Sequence, residues 1–92
     1  MQYSVFYPTK LSELPDQGND NADVCVTLEN GAAYTLVFIT PENLKAIMKK
    51  DDTSYVNPRF RFLVVERLSE DIIEAAIKEL ASDEDLLKEY GI

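Results

Sequence analysis

Apolar residues alternate through two neighbouring runs, Ala22-Val24-Val26-Leu28 and Ala32-Tyr34-Leu36-Phe38. A period of two over this length predicts two half-buried strands. Glu29-Asn30-Gly31 lies between them, and an Asn-Gly in that position predicts a hairpin. A two-residue turn at Asn30-Gly31 would set Leu28 opposite Ala33 and place Tyr34, Leu36 and Phe38 on the face of Cys25 and Thr27. A three-residue loop sets Leu28 opposite Ala32, Val26 opposite Tyr34, Val24 opposite Leu36 and Ala22 opposite Phe38. One face is then wholly apolar. A one-residue slip flips every side chain, so burial selects the second register. That register calls for a type I turn with a left-handed bulge at Gly31. Cys25, Thr27, Ala33, Thr35 and Val37 fall on the other face.

The period then changes. Thr40 is a good N-cap, Pro41 suits the first helical position and Glu42 suits the positive end of the helix dipole. Ile39 and Leu44 are spaced as a hydrophobic staple, and Leu44, Ile47 and Met48 form the expected buried stripe. Ser69 caps a second helix in which Ile72, Ile73, Ala76, Ile77 and Leu80 make a clean stripe. Ser82 begins a short third helix, with Asp83, Glu84 and Asp85 in its first turn and Gly91 as its stop. Residues 2–7 read as a strand ended by Pro8. Residues 8–21 read as a loop in which Leu11 and Leu14 pin a helical turn to the core. Residues 51–58 read as a loop, followed by a strand over Phe60–Val65 that is apolar on both faces toward its end and is expected to be well covered. The expected order is β-β-β-α-β-α-α: one α+β domain over residues 1–92, with a mainly antiparallel sheet of about four strands and helices packed on one face. The fourth strand can return parallel or antiparallel.

Composition narrows the chemistry. No apolar run is long enough to span a membrane. No basic stretch followed by an apolar one opens the chain, and Cys25 is the single cysteine, so cytosolic residence without disulfides is expected. There is no histidine, which removes the commonest general base and most zinc and iron sites. Three glycines form no phosphate cradle. No catalytic, metal-binding or cofactor-binding residue stands out, and the chain is read as a non-enzyme.

Net charge is -8, spread as -4 over residues 1–30, +2 over 31–68 and -6 over 69–92. Such a field repels nucleic acid and favours basic partners. Four groups of residues compete for a functional reading. Glu79, Asp83, Glu84, Asp85 and Glu89 make the C-terminal third a candidate docking surface, although dipole complementation alone accounts for the first-turn acids. The loop with Asp51, Asp52, Tyr55 and Asn57 offers a tyrosine of the kind that anchors interfaces; the plain alternative is that Tyr55 folds back onto the core. Asp16, Asp20 and Asp23 lack the spacing of a calcium loop and read as turn residues. Lys45, Lys49, Lys50, Arg59 and Arg61 are too few, in so acidic a chain, for a nucleic-acid site.

The stretch Asp20 to Gly31, continuing through Tyr34-Thr35-Leu36 and Thr40-Pro41-Glu42-Asn43-Leu44, resembles small uncharacterised bacterial proteins, as does Leu68 to Ile77. The shared positions are turn, cap and helix-face residues, so the resemblance implies a fold and no site. Small acidic bacterial proteins of this build include immunity proteins that neutralise toxic nucleases, an analogy of fold and charge. The leading expectation is a protein–protein interaction module, antitoxin-like or immunity-like, that meets a basic partner. A small-ligand-binding domain and a homodimer paired through edge strands are the alternatives.

Overall fold

The computed structural model describes residues 2–91. Strand β1 (Tyr3–Phe6), a 3-10 turn (Leu11–Glu13), β2 (Asn21–Leu28), β3 (Ala33–Ile39), helix α1 (Pro41–Asp51), β4 (Phe62–Val64), α2 (Glu70–Ala81) and α3 (Glu84–Tyr90) follow in chain order. They form one α+β domain. The sheet is mixed, in the order β1-β2-β3-β4. The first two ladders are antiparallel, and β4 runs parallel to β3. No helix among the described residues is long and apolar enough to cross a membrane.

The hairpin adopts the three-residue register. Val26 pairs with Tyr34, Val24 with Leu36 and Ala22 with Phe38. The Leu28 amide donates to the Ala32 carbonyl at 2.8 Å, closing the loop, and Gly31 sits at φ 89°. The ladder places Val24, Val26, Leu36 and Phe38 on one face, where all four are fully buried. Ile73, Ile77 and Leu80 of α2 and Leu87 of α3 close over them, joined by Leu11, Val65 and Leu68. The long segment between β1 and β2 is tied down by Gln17, whose side-chain amide donates to the Leu11 carbonyl and whose own carbonyl accepts from the Leu68 amide, both at 2.8 Å.

Caps set the helix ends. Thr40 is fully buried, and its Oγ1 accepts from the Asn43 amide at 3.3 Å. Ser69 Oγ accepts from the Ile72 amide at 3.4 Å. The third helix starts one residue later than Ser82 would set it. Asp83 is the cap, its Oδ1 accepting from the Asp85 and Leu86 amides, while Ser82 Oγ donates back to the Glu79 carbonyl at 2.7 Å. A carboxylate makes the stronger acceptor for helix-end amides.

Two regions depart from the expected packing. Helix α1 buries none of its residues: Leu44, Ile47 and Met48 are only half-covered. It lies beside the sheet's second face, where Asn21 Nδ2 donates to Asn43 Oδ1 at 2.8 Å. The fourth strand is also shorter and less covered than its composition suggests. It spans Phe62–Val64 at the edge of the sheet, and Val64 is 56% exposed. A turn takes up the Phe60 amide that a longer strand would pair, and the Arg61 side chain braces that turn. The Phe60 amide donates to the Asn57 carbonyl at 3.1 Å, and Arg61 Nη1 donates to the Pro58 carbonyl at 3.0 Å.

Candidate functional site

The loop joining α1 to β4 starts from a well-made helix end. Asp52 takes the left-handed conformation at φ 54°. Its amide donates to the Lys49 carbonyl, and the Thr53 amide donates to the Met48 carbonyl at 2.9 Å. This is the Schellman arrangement, which satisfies carbonyls the helix would otherwise leave bare. Beyond it, Thr53 Oγ1 donates to the Tyr55 carbonyl at 2.9 Å, and Asn57 Oδ1 accepts from the Arg59 amide at 3.0 Å. The loop is therefore braced by its own polar groups while its large side chains project outward. Tyr55 is 67% exposed and Phe60 59% exposed. The core-capping alternative for Tyr55 does not hold. Phe60 stacks on Phe62 with ring centres 5.5 Å apart and planes 28° from parallel.

These side chains open onto a cleft of about 660 Å³. Ile47, Tyr55, Val56, Phe60 and Phe62 supply its apolar walls, and Asp51, Asn57, Arg59 and Asn21 supply polar groups. Asn21 and Asn43, with Asn19 accepting from Asn43 Nδ2 at 3.3 Å, hold α1 against the start of β2 and fix the far wall. A second hollow of about 260 Å³ lies on the other side of the aromatic pair and shares Arg59, Phe60 and Phe62 with the first. Val37, Arg61, Glu89, Tyr90 and Gly91 complete it. Phe60 thus stands between two concave surfaces.

The nine residues singled out from the sequence divide accordingly. Asp51, Tyr55 and Asn57 line the cleft, and Asp52 adjoins it as the helix cap. Glu89 reaches the smaller hollow. The remaining acids line neither hollow. Asp83 is occupied as a cap. Glu84 is held by three neighbours: Tyr34 Oη donates to Oε2 at 3.2 Å, Asn30 Nδ2 donates to Oε1 at 3.3 Å, and Lys88 Nζ lies 3.7 Å away. Glu79 and Asp85 are exposed on α2 and α3. Lys45 pairs with Glu42 at 3.6 Å, and no ion pair engages Arg59 or Arg61 among the described residues.

Phe60 and Phe62 were missing from the sequence-based site because aromatic residues in an alternating run read as core, and Arg59 was weighed only as part of a basic patch. The Asn57-Pro58 dipeptide is the signal that could have moved Phe60 out of the strand, since it favours a turn at that point. Cys25 is half-buried, with Sγ 3.8 Å from Thr35 Oγ1. Asp16 and Asp20 accept from the amides of Gly18 and Asn21, as turn residues do. Among the described residues no three His, Cys, Asp or Glu side chains gather closely enough to hold a metal ion.

Two tyrosines with perturbed proton affinity lie outside the cleft. Burial pushes the Tyr7 hydroxyl up to about 12, with the charges of Glu74 and Glu70 adding to it. That hydroxyl is buried without a hydrogen-bond partner. Tyr34 is also raised, by burial first and then by its bond to Glu84. Neither residue is placed to do chemistry in the cleft, whose groups suit recognition: aromatic faces, one guanidinium, amides and a carboxylate. The chain matches no family model, no curated protein and no solved structure.

Proposed function

We propose that this chain is a non-enzymatic protein-interaction module, immunity-like in its acidity, and that the loop over residues 51–62 is its docking surface. A basic partner is drawn by the acidic field and seated by the aromatic loop. One observation carries the reading. Tyr55 and Phe60 are held in water beside a cleft, by a loop braced so that they stay there. Large aromatic side chains contribute to folding by being buried, and exposed clusters of them with arginine have the composition of binding hot spots. Asp51 and Asp52 at the end of α1 and Arg59 beyond the Asn57-Pro58 turn give the surface charges of both signs that would orient the partner. The acids of α3 contribute mainly to the field, since Asp83 and Glu84 are engaged within the fold.

The test compares what the protein retains from its own cells when bare and when altered. The unaltered chain should hold a partner that the double variant Tyr55→Ala, Phe60→Ala releases and that Leu86→Ala, at a remote exposed site on α3, keeps. Retention should weaken as salt rises. Equal retention by all three forms would sink the proposal. The volume of the cleft favours a second reading, because small-molecule sites commonly measure about 300–1,000 Å³. In that case the loop variants would lose a small ligand detectable by native mass spectrometry, and no protein would be retained.

A further inference from the structure

The side of the sheet turned away from α2 and α3 carries an unusual set of residues. Away from the end covered by α1, its outward positions on the first three strands are Ser4 and Phe6 on β1, Asp23, Cys25 and Thr27 on β2, and Ala33, Thr35 and Val37 on β3, with Phe62 of β4 beside Val37. Helix α1 meets this face at the end where Asn21 bonds Asn43 and where Ile39 is fully buried. Phe6 is 64% exposed, and Ser4, Thr27 and Ala33 are open to water. In a chain whose residues are 28% charged, Asp23 is the single charge among these eight positions. Solvated sheet faces ordinarily alternate to charged and polar residues.

Two further quantities bear on this face. The chain measures only 18 Å along its shortest axis, one sheet with one layer of helices behind most of it. It exposes 6213 Å². A folded monomer of 10.4 kDa is expected to expose about 5,400 Å². The excess, about 800 Å² over the whole surface, is shared between this face and the exposed 51–62 loop.

We propose that a second copy of this chain covers this face, the two sheets stacking across a two-fold axis with the helices outermost. The distribution of charge selects that occupant. Residues 69–92 carry -6 and build α2 and α3, behind the sheet. Two copies meeting through their helices would set carboxylates against carboxylates. Meeting through the second face, they hold both acidic layers outward and bring almost no charge together. A basic partner would find its counter-charges on the helices instead. Stacked sheets sit about 10 Å apart, a gap that side chains of the size of Thr35, Val37 and Cys25 fill, with Phe6 at the margin. A two-fold contact of this kind uses the same patch on both copies. It borders the docking loop, because Val37 pairs with Phe62 and lines the smaller hollow with Phe60, but the substitutions that test it, at Phe6 and Thr35, alter no residue of the 51–62 loop.

Light scattering across a range of concentrations tests it. The unaltered protein should give twice the chain mass of 10.4 kDa. Thr35→Lys places a charge at the centre of the face and should give single chains with an unchanged circular dichroism spectrum. Phe6→Lys, at a position too exposed to disturb folding, should weaken association by about tenfold or more, and it carries the test if Thr35→Lys fails to fold. Glu79→Lys, on α2, should leave the dimer intact. Alkylation of Cys25 should slow as protein concentration rises. Single chains at every concentration would overturn the proposal. So would a dimer that survives both Thr35→Lys and Phe6→Lys, since that places the contact elsewhere.

Discussion

The β2–β3 hairpin and the 51–64 segment are built from similar residues and end in opposite environments. Both carry aromatic and β-branched residues among polar ones, and Phe60–Val64 alternates as the hairpin does at its start. In the hairpin, Leu36 and Phe38 are fully buried under α2 and α3. In the segment, Tyr55, Phe60 and Val64 are all more than half exposed. The difference lies in what surrounds each alternation. The hairpin has a paired strand on each side, because β1 adds to β2 and β4 to β3. The segment has one partner, for three residues, and a turn at Asn57–Phe60 that spends its backbone bonds locally. Alternation therefore encodes burial only where the neighbouring ladder and a covering helix also exist.

The sharpest way to break this contrast is to truncate one aromatic in each region. Phe38→Ala should cost about 3–5 kcal/mol, because the cavity it leaves lies under well-packed helices. Phe60→Ala should change stability by no more than about 0.5 kcal/mol. Urea unfolding of both variants measures the difference. A loss of several kcal/mol in Phe60→Ala would mean that the loop belongs to the core and that its aromatics are not held out for recognition.

A second pair of substitutions sharpens the comparison at the backbone. Each region contains one left-handed residue outside regular structure, Gly31 in the hairpin and Asp52 at the start of the loop. A Cβ at Gly31 would touch nothing within 4 Å, so Gly31→Ala isolates the conformational penalty, about 1–2 kcal/mol. Asp52→Gly should act in the opposite direction and stabilise by about 0.5 kcal/mol, since glycine takes this position in a Schellman end without strain. The same change removes a carboxylate from the rim of the cleft. If the loop docks a basic partner, Asp52→Gly should bind less tightly while unfolding at higher denaturant. Gains in both would show that the aspartate is there for neither purpose.

This contrast also explains what could be read from the residues alone. The hairpin register was legible because one spacing gathers Val24, Val26, Leu28, Tyr34, Leu36 and Phe38 and the other scatters them. The caps at Thr40 and Ser69 and the α2 stripe were legible because each depends on neighbours within four positions. The limits of β4 were not, because the turn bond from the Phe60 amide competes with the ladder and no periodicity reports it. The packing of α1 was not either: Leu44, Ile47 and Met48 form a helical stripe whether or not anything covers it. For the site, proximity in sequence found Asp51, Tyr55 and Asn57 together. The acids of α3 formed a group only as a count of charge. In the fold, Asp83 and Glu84 serve their own helix and its contact with the hairpin.

That contact supplies the smallest and most selective test. Tyr34, in the hairpin, donates to Glu84 at 3.2 Å, whereas Tyr55 projects into water. Burial and the bond to Glu84 both raise the proton affinity of Tyr34 above that of a free tyrosine, against a smaller pull from Lys88. A group whose folded value exceeds its unfolded value of 10.0 stabilises the fold fully below that pH. The contribution is then lost as pH climbs through the raised value. Tyr7, raised to about 12 by burial, loses its contribution over the same alkaline window. The denaturation midpoint should therefore hold steady on the neutral side of 10 and fall beyond it. Tyr34→Phe should lower the midpoint slightly at neutral pH and flatten part of the alkaline fall. Adding Tyr7→Phe should flatten the rest, and it should recover stability at neutral pH because it deletes a buried hydroxyl that has no partner. An alkaline fall that persists undiminished in the double variant would assign it to lysines instead, and would detach Tyr34 from the set of contacts that seat α3 on the hairpin.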